Sequence, residues 1–394
     1  MGLGYPASYP RRRPSPAARA LDRAAPLRRL DWVLLLAVVA LAAIGTLLVW
    51  SATRFNDRLT GGDPDAFLKR HLLNLAIGLV LAACTTLFDY RMLRAYAPLV
   101  YVLSIAGLLL VLSPLGQTIN GSHSWIVVGG LSIQPSEFAK VALVVGAAML
   151  LAEKRDAEDT PRDIDVLLML ALAAPPTALV LLQPDVGTVM VLGAITFGMI
   201  AVSGAPRRWL LGLLLAVVLG GVAVAQLGLL EQHQLDRFAA FANPELDPRG
   251  VGYNTSQARI AIGSGGLTGK GLFEGPQTNG QFVPEQQTDF VFTVAGEELG
   301  FVGAAGIVLL FGVLLWRALH IAARADDLFG TLIAAGVGCW FAFQAFENIG
   351  MTVGIMPVTG LPLPFVSYGG SAIFANFMAV GLLQNVRLRR AARR

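Results

Sequence analysis

Residues 32–52 read WVLLLAVVALAAIGTLLVWSA, a stretch with no charged side chain. A helix needs about 20 apolar residues to cross the hydrocarbon core of a bilayer, and this run has them. It is longer than the apolar core of a cleaved signal peptide, and no small-x-small cleavage site follows it. It therefore reads as an uncleaved anchor. Working outward, comparable runs occupy 71–88, 96–115, 136–152, 164–182, 186–204, 209–230, 300–322, 329–350 and 372–387. These runs are continuous and do not alternate, which predicts helices rather than a barrel. The expected fold is all-α: a polytopic membrane protein of about ten transmembrane helices, with a long outer loop, 231–299, between the seventh and eighth spans. Residues 1–29, rich in Arg, Pro and Ala, read as a disordered basic cytoplasmic tail, and 30–390 as one membrane domain.

Composition agrees. Of 394 residues, 55% are hydrophobic and only 14% charged, too few to coat a water-soluble domain of this size. With the N-terminus inside, the inner segments hold 21 of the 30 Lys and Arg residues and the outer segments 8, with Lys140 inside a span. This is the positive-inside pattern, and it places both termini in the cytoplasm. The net charge of +4 thus reports orientation, and no basic stripe suggests a nucleic-acid partner. Cys84 and Cys339 fall within spans and read as apolar fillers; no Cys/His cluster has zinc spacing.

Three stretches are more than plain turns: 116–135, 231–299, and the Gly/Pro-dense 351–371. All three face outward in this topology, so chemistry is expected on the outer face. Charged groups at membrane depth need a partner or a task. Glu137 and Lys140 stand three apart on one helical face. They read either as an internal ion pair that orients helices or as an anion-binding Lys140 held by Glu137. Asp185, in Gln183-Pro184-Asp185-Val186-Gly187-Thr188, reads as the cap of the next helix. Glu347, beside Asn348 near the outer end of the ninth span, reads as a buried hydrogen-bonded polar site. Asp289 stands at the boundary between the long loop and the eighth span, where a partly desolvated carboxylate suits general-base work. Glu297 and Glu298 follow on approximately the same face.

The run Gly263-Ser264-Gly265-Gly266-Leu267-Thr268-Gly269-Lys270-Gly271 fails the nucleotide-binding pattern: a Gly is needed at Ser264 and a Ser or Thr at Gly271. It reads either as backbone N–H groups with Lys270 approaching a lipid-linked phosphate, or as a flexible re-entrant turn. The sequon at Asn254-Thr255-Ser256 reads as coincidence.

Taken in order, these motifs resemble the SEDS family (shape, elongation, division and sporulation), peptidoglycan polymerases of the RodA and FtsW type. The resemblance covers roughly 31–390 and rests on six separate motifs. They are Asn120-Gly121 with Trp125; Gln134-Pro135-Ser136-Glu137-Phe138-Ala139-Lys140; the Gln183–Thr188 turn; Ile260-Ala261-Ile262-Gly263-Ser264-Gly265-Gly266; Thr288-Asp289-Phe290 with Gly296-Glu297-Glu298-Leu299-Gly300; and Pro362-Leu363-Pro364-Phe365-Val366-Ser367-Tyr368-Gly369-Gly370-Ser371. Two positions depart from the family's habit: His123-Ser124 where a basic residue commonly precedes the tryptophan, and Gln287 where many members carry His. The run Ile260–Gly271, followed by Phe282-Val283-Pro284-Glu285, looks more like the elongation branch, RodA, than the division branch.

The resemblance implies a glycosyltransferase of the bacterial plasma membrane, active on the outer face, that polymerises lipid II with release of undecaprenyl pyrophosphate. It implies Asp289 as the catalytic base. It implies substrate contacts from Lys140, Glu137, Trp125, Ser264, Gly265, Gly266, Lys270, Ser367 and Tyr368. A divalent cation, Mg²⁺ or Mn²⁺, is implied at the pyrophosphate, with no ligand set legible in the sequence. The implied partners are lipid II, the nascent glycan strand, membrane lipid and a transpeptidase, a class B penicillin-binding protein. A lipid II flippase and a scaffold without chemistry are the rival readings.

Overall fold

The computed structural model describes residues 29–88, 90–119, 122–128, 131–153, 161–226 and 251–392. Most of the expected N-terminal tail, and 227–250 of the expected long loop, lie outside them. Ten long helices match the ten apolar runs: α1 (Trp32–Arg54), α3 (Ala66–Leu87), α4 (Tyr90–Leu112), α5 (Pro135–Ala152), α6 (Asp163–Leu181), α7 (Val186–Val202), α8 (Arg207–Gln226), α12 (Gly300–Ala323), α13 (Leu328–Val353) and α14 (Gly370–Ala392). The short α2 (Asp57–Thr60) lies between α1 and α3. Seven of the ten, among the described residues, are long and apolar enough to cross a membrane, while α7 is apolar but only 17 residues long.

Local chemistry sets the ends. Asp31 accepts a hydrogen bond from the Leu34 N–H at 3.1 Å and caps α1. Asp185 does the same for α7, accepting from Thr188 N at 2.9 Å and Thr188 Oγ1 at 2.8 Å, as the cap reading expected. Pro135 opens α5 in the first turn, where a missing N–H costs nothing. Gly354, at φ +81°, closes α13.

The structure adds elements that hydropathy does not register. Between α4 and α5, β1 (Gln117–Ile119), β2 (Ser122–Val128) and β3 (Leu131–Ile133) form an antiparallel sheet in the order β1-β2-β3. Within the expected loop lie α9 (Val251–Ser264), α10 (Pro276–Asn279) and α11 (Val291–Glu298). α11 runs into α12 through a break at Leu299–Gly300, where Gly300 takes φ +65°. The described end of the loop is therefore folded into the bundle.

The helices are not equivalent. α5 and α13 are 78% and 72% buried over their most apolar windows, against 17% for α3 and α4. They form the centre of the bundle, and they also carry buried polar side chains. Those two facts belong together, because a charged or amide group at membrane depth is tolerated where protein rather than lipid surrounds it. A small separate cluster, Ala258, Ala261, Val283 and Phe290, packs α9 under the segment that carries Asp289.

Candidate functional site

The segment between α13 and α14, 354–369, holds three prolines and forms no helix, so its carbonyls need partners from elsewhere. α13 supplies them from one face. Gln344, Glu347 and Asn348 stand at i, i+3 and i+4 and are all buried. Gln344 Nε2 donates to the Pro362 carbonyl at 2.8 Å, and Asn348 Nδ2 to the Leu361 carbonyl at 2.7 Å. The Thr359 hydroxyl donates to the Glu347 carboxylate. We refer to residues 359–362, held down in this way, as the strap.

Asp289 lies against the strap. Asn348 Nδ2 also donates to the Asp289 backbone carbonyl, at 2.8 Å, so one amide ties the strap and the Asp289 turn together. That turn starts at Glu285, whose φ of +51° lets its carbonyl accept from the N–H groups of Thr288, Asp289 and Phe290 before α11 begins. The Asp289 carboxylate is partly exposed. Gly360, at φ +78°, faces it so closely that an added Cβ would sit 3.3 Å from Asp289 Oδ2. Gly187 approaches from the other side, where a Cβ would stand 2.7 Å from Leu361 Cγ. The Gln183–Thr188 turn, the strap and the Asp289 turn therefore meet at one place. Tyr368 N–H donates to the Gln287 carbonyl at 2.8 Å and joins the final motif to the same cluster.

Lys140 is elsewhere. Its ammonium is fully buried, 2.7 Å from Glu137 Oε1 and 3.1 Å from Gln344 Oε1, and 5.0 Å from the Trp340 ring centroid. Trp340 Nε1 donates to the same Gln344 oxygen at 2.7 Å. A lysine sealed in this way does not present its charge to a lipid headgroup. The arrangement matches the helix-orienting ion pair instead. Its connection to Asp289 is indirect: Lys140 fixes the Gln344 carbonyl, whose amide nitrogen holds the strap.

The glycine run also turns inward. The N–H groups of Gly265 and Gly269 bond locally, to the Ile262 and Gly265 carbonyls, and those of Lys270 and Gly271 donate to the Glu297 and Glu298 carbonyls at 2.9 and 3.1 Å. A Cβ on Gly265 would collide with the Gly296 carbonyl oxygen. Ser264 Oγ donates to the Ala261 carbonyl at 2.8 Å. The Lys270 and Gly271 amides are thus spent on packing the run against α11 rather than left open to a phosphate, while Gly266 and the Lys270 side chain are exposed. Glu297 accepts from Gln277 N–H, Thr278 N–H and Thr278 Oγ1 at 2.7–2.8 Å, so it caps α10. Glu298 accepts from Ser51 Oγ at 2.6 Å.

Trp125 sits half-buried in β2, opposite Gln117. Ser371 Oγ accepts from Gln134 N–H at 2.8 Å and donates to the Ser132 carbonyl at 3.2 Å, tying the sheet to the start of α14. Ser367 is buried and accepts from Leu363 N–H at 2.8 Å. Tyr368 packs on Phe67 and His71, with ring centroids 4.9 and 6.0 Å away. Burial pushes its phenol up, with Arg70 pulling the other way, so the hydroxyl remains a donor at neutral pH. Asn120 and Gly121 lie outside the described residues. Among the described residues no three His, Cys, Asp or Glu side chains gather as a metal cage.

Sequence reasoning missed two contributors. Gln344 was hidden inside an apolar run. Arg259, on α9, donates to the Val353 and Gly354 carbonyls at 3.2 and 3.1 Å and completes the end of α13. A lone arginine in a predicted loop carries no sequence signal for that task.

With this geometry in view, the sequence profile of the FtsW, RodA and SpoVE family, described as "Cell cycle protein", matches residues 31–392. The chain belongs to that family. It is 37% identical to the "Probable peptidoglycan glycosyltransferase FtsW" of Trichlorobacter lovleyi, over 91% of this chain and 93% of the relative. It is 39% identical to "Stage V sporulation protein E" of Bacillus subtilis, over 90% and 96%. It is 36% identical to "Peptidoglycan glycosyltransferase MrdB" of Escherichia coli, over 92% and 94%. A solved structure described as "Structural coordination of polymerization and crosslinking by a peptidoglycan synthase complex" superposes with a TM-score of 0.77 at 33% identity, covering 92% of this chain and 98% of that one. This SEDS chain is thus an integral inner-membrane protein and a glycosyltransferase. Three differently named branches stand within a few per cent of one another, so identity does not separate elongation from division.

Proposed function

We propose that this chain polymerises lipid II. The acceptor sugar's 4-hydroxyl attacks the donor's anomeric carbon, a β-1,4 bond forms, and the bond from that carbon to the pyrophosphate oxygen breaks. Undecaprenyl pyrophosphate leaves, and the hydroxyl proton passes to the Asp289 carboxylate. The observation that carries this reading is the placement of Asp289. It is a partly exposed carboxylate whose backbone is tied by Asn348 and whose side chain is backed by a glycine strap. Such a group is held in position before substrate arrives, which is what a general base needs. Lys140 and Glu137 support it as positioning residues. Trp125, Lys270, Ser367 and Tyr368 remain proposed substrate contacts. The divalent cation implied by the resemblance would take most of its ligands from the pyrophosphate.

We place the site on the outer face and both termini in the cytoplasm, on the 21-to-8 basic asymmetry. We assign the elongation branch on Ile260–Gly271 and Phe282–Glu285. A class B penicillin-binding protein is the proposed partner; the solved relative described as a synthase complex coordinating polymerization and crosslinking supports this.

The test is Asp289→Asn, which keeps size and removes the carboxylate. Purified variant given labelled lipid II is expected to lose about 10²- to 10⁴-fold in polymer formation, with unchanged insertion and lipid II binding. Near-normal polymer would overturn the base assignment. Translocation of lipid II without polymer from the parent protein would overturn the reaction.

A further inference from the structure

The strap is held through its backbone on one side of Gly360 and through a side chain on the other. After Gly360, Asn348 and Gln344 donate to the Leu361 and Pro362 carbonyls. Before it, the Thr359 hydroxyl donates to Glu347 Oε1 on α13. On the α7 side there is no room to spare: a Cβ on Gly187 would stand 3.1 Å from Thr359 Cβ. Val358 packs on the cluster of Ala258, Ala261, Val283 and Phe290, but apolar contact is non-directional and fixes no rotation of the chain. Among the described residues, the Thr359 hydroxyl bond is thus the directional anchor at this end of the strap. The residue it leads into, Gly360, is the one whose added Cβ would lie 3.3 Å from Asp289 Oδ2.

Glu347 is an unfavourable group to bury for that task alone. Its side chain is fully buried, one oxygen takes the Thr359 hydroxyl, and Oε2 is shielded from water with no hydrogen-bond partner among the described residues. The nearby cations are engaged elsewhere. Lys140 bonds Glu137 and Gln344, and Arg259 donates to the Val353 and Gly354 carbonyls. Taking an acid group out of water for a single hydrogen bond weakens a fold, and an apolar pair of the same shape is neutral or better. Stability therefore does not account for Glu347, whereas the placement of Gly360 does. We propose that Glu347 and Thr359 are a positioning pair for polymerisation. Glu347 fixes the Thr359 side chain, Thr359 fixes the turn at Gly360, and Gly360 sets the space in which the Asp289 carboxylate meets the acceptor hydroxyl. Both residues act through the strap and not on the substrate. The proposal rests on the reading of Asp289 as the general base.

The test gives labelled lipid II to full-length variants and measures kcat, KM and melting temperature for each. Replacing both partners, Glu347→Met with Thr359→Val, is expected to hold or raise the melting temperature, leave KM unchanged and lower kcat about ten- to a hundredfold. Thr359→Ser keeps the hydroxyl and is expected to hold kcat near the parent's, whereas Thr359→Val alone lowers it as the double change does. A double variant that melts lower yet keeps its kcat would make the pair a purely structural bond and overturn the proposal. So would a change confined to KM. Thr359 is only half-buried, so its two single variants keep the test decisive even if the double variant folds poorly. Equal kcat in Thr359→Ser and Thr359→Val would overturn the proposal. Asp289→Asn is run alongside. Near-normal polymer from it fails the base reading, while an inactive Asp289→Asn beside a fully active double variant fails this inference alone.

Discussion

Two glycine-rich stretches of this chain look alike in sequence and do opposite things. Residues 263–271 and the strap with its flanks, 354–370, are both short, outward in the expected topology, and poor in regular structure. In the first, glycine lets one backbone settle onto another. The Lys270 and Gly271 amides donate to Glu297 and Glu298 carbonyls, and Gly265 packs where no Cβ fits. In the second, the backbone carbonyls are held by side chains from α13, and Gly360 keeps the space beside the Asp289 carboxylate clear. A glycine-rich stretch is thus defined by where its polar backbone groups find partners, not by its composition.

Substitutions can break or sharpen that contrast. The largest effect is expected from removing the strap's remote support. Lys140→Ala leaves Glu137 buried without its counter-charge, which should cost about 3–5 kcal/mol. This would appear as a strong fall in melting temperature and in polymer yield. Glu137→Ala combined with it should cost far less than the sum of the two single changes, because the pair acts as a unit. Full additivity would show that the two residues serve separate tasks.

Gly265→Ala comes next. Its Cβ meets only backbone, at Gly296 and Glu297, so nothing can move aside cheaply. A loss of about 1–3 kcal/mol is expected, with specific activity of the surviving folded protein unchanged. Gly360→Ala should give the reverse pattern. Its positive φ costs about 1–2 kcal/mol, but polymerisation should fall about ten- to a hundredfold, because a small displacement of a positioned base is costly. If Gly265→Ala selectively removed activity while Gly360→Ala removed only stability, the roles given to the two stretches would be exchanged.

The smallest effect is expected at Ser264→Ala and Lys270→Ala. Ser264 bonds only within its own helix, and the Lys270 side chain is exposed. Stability should change by no more than about 0.5 kcal/mol. Polymer yield from Lys270→Ala then decides whether that side chain touches substrate, because folding cannot account for a defect there.

Hydropathy along the chain was enough to place ten helices, because burying apolar side chains in lipid is a local, residue-by-residue preference. Two readings needed only a few neighbouring residues. Asp185 caps the helix it precedes, and Glu137 and Lys140 stand on one face. Asp289 was singled out from its position at the end of a loop, and the structure supplied what backs it. The small sheet before α5 and helices α9, α10 and α11 were read as loop, since short polar segments gain their order from the bundle they dock on rather than from their own pattern.

The sequence by itself determined that this is a helical membrane protein, which way its charge bias runs, and which polar groups are out of place in lipid. Only the tertiary structure decided how those groups are satisfied. Lys140 meets Gln344 across 204 positions, Asn348 meets the Asp289 carbonyl across 59, and Asp31 meets Arg317 across 286. A hydrogen bond acts over about 3 Å, so its partner is set by which helices pack together, and that is a property of the folded bundle rather than of any stretch of the chain.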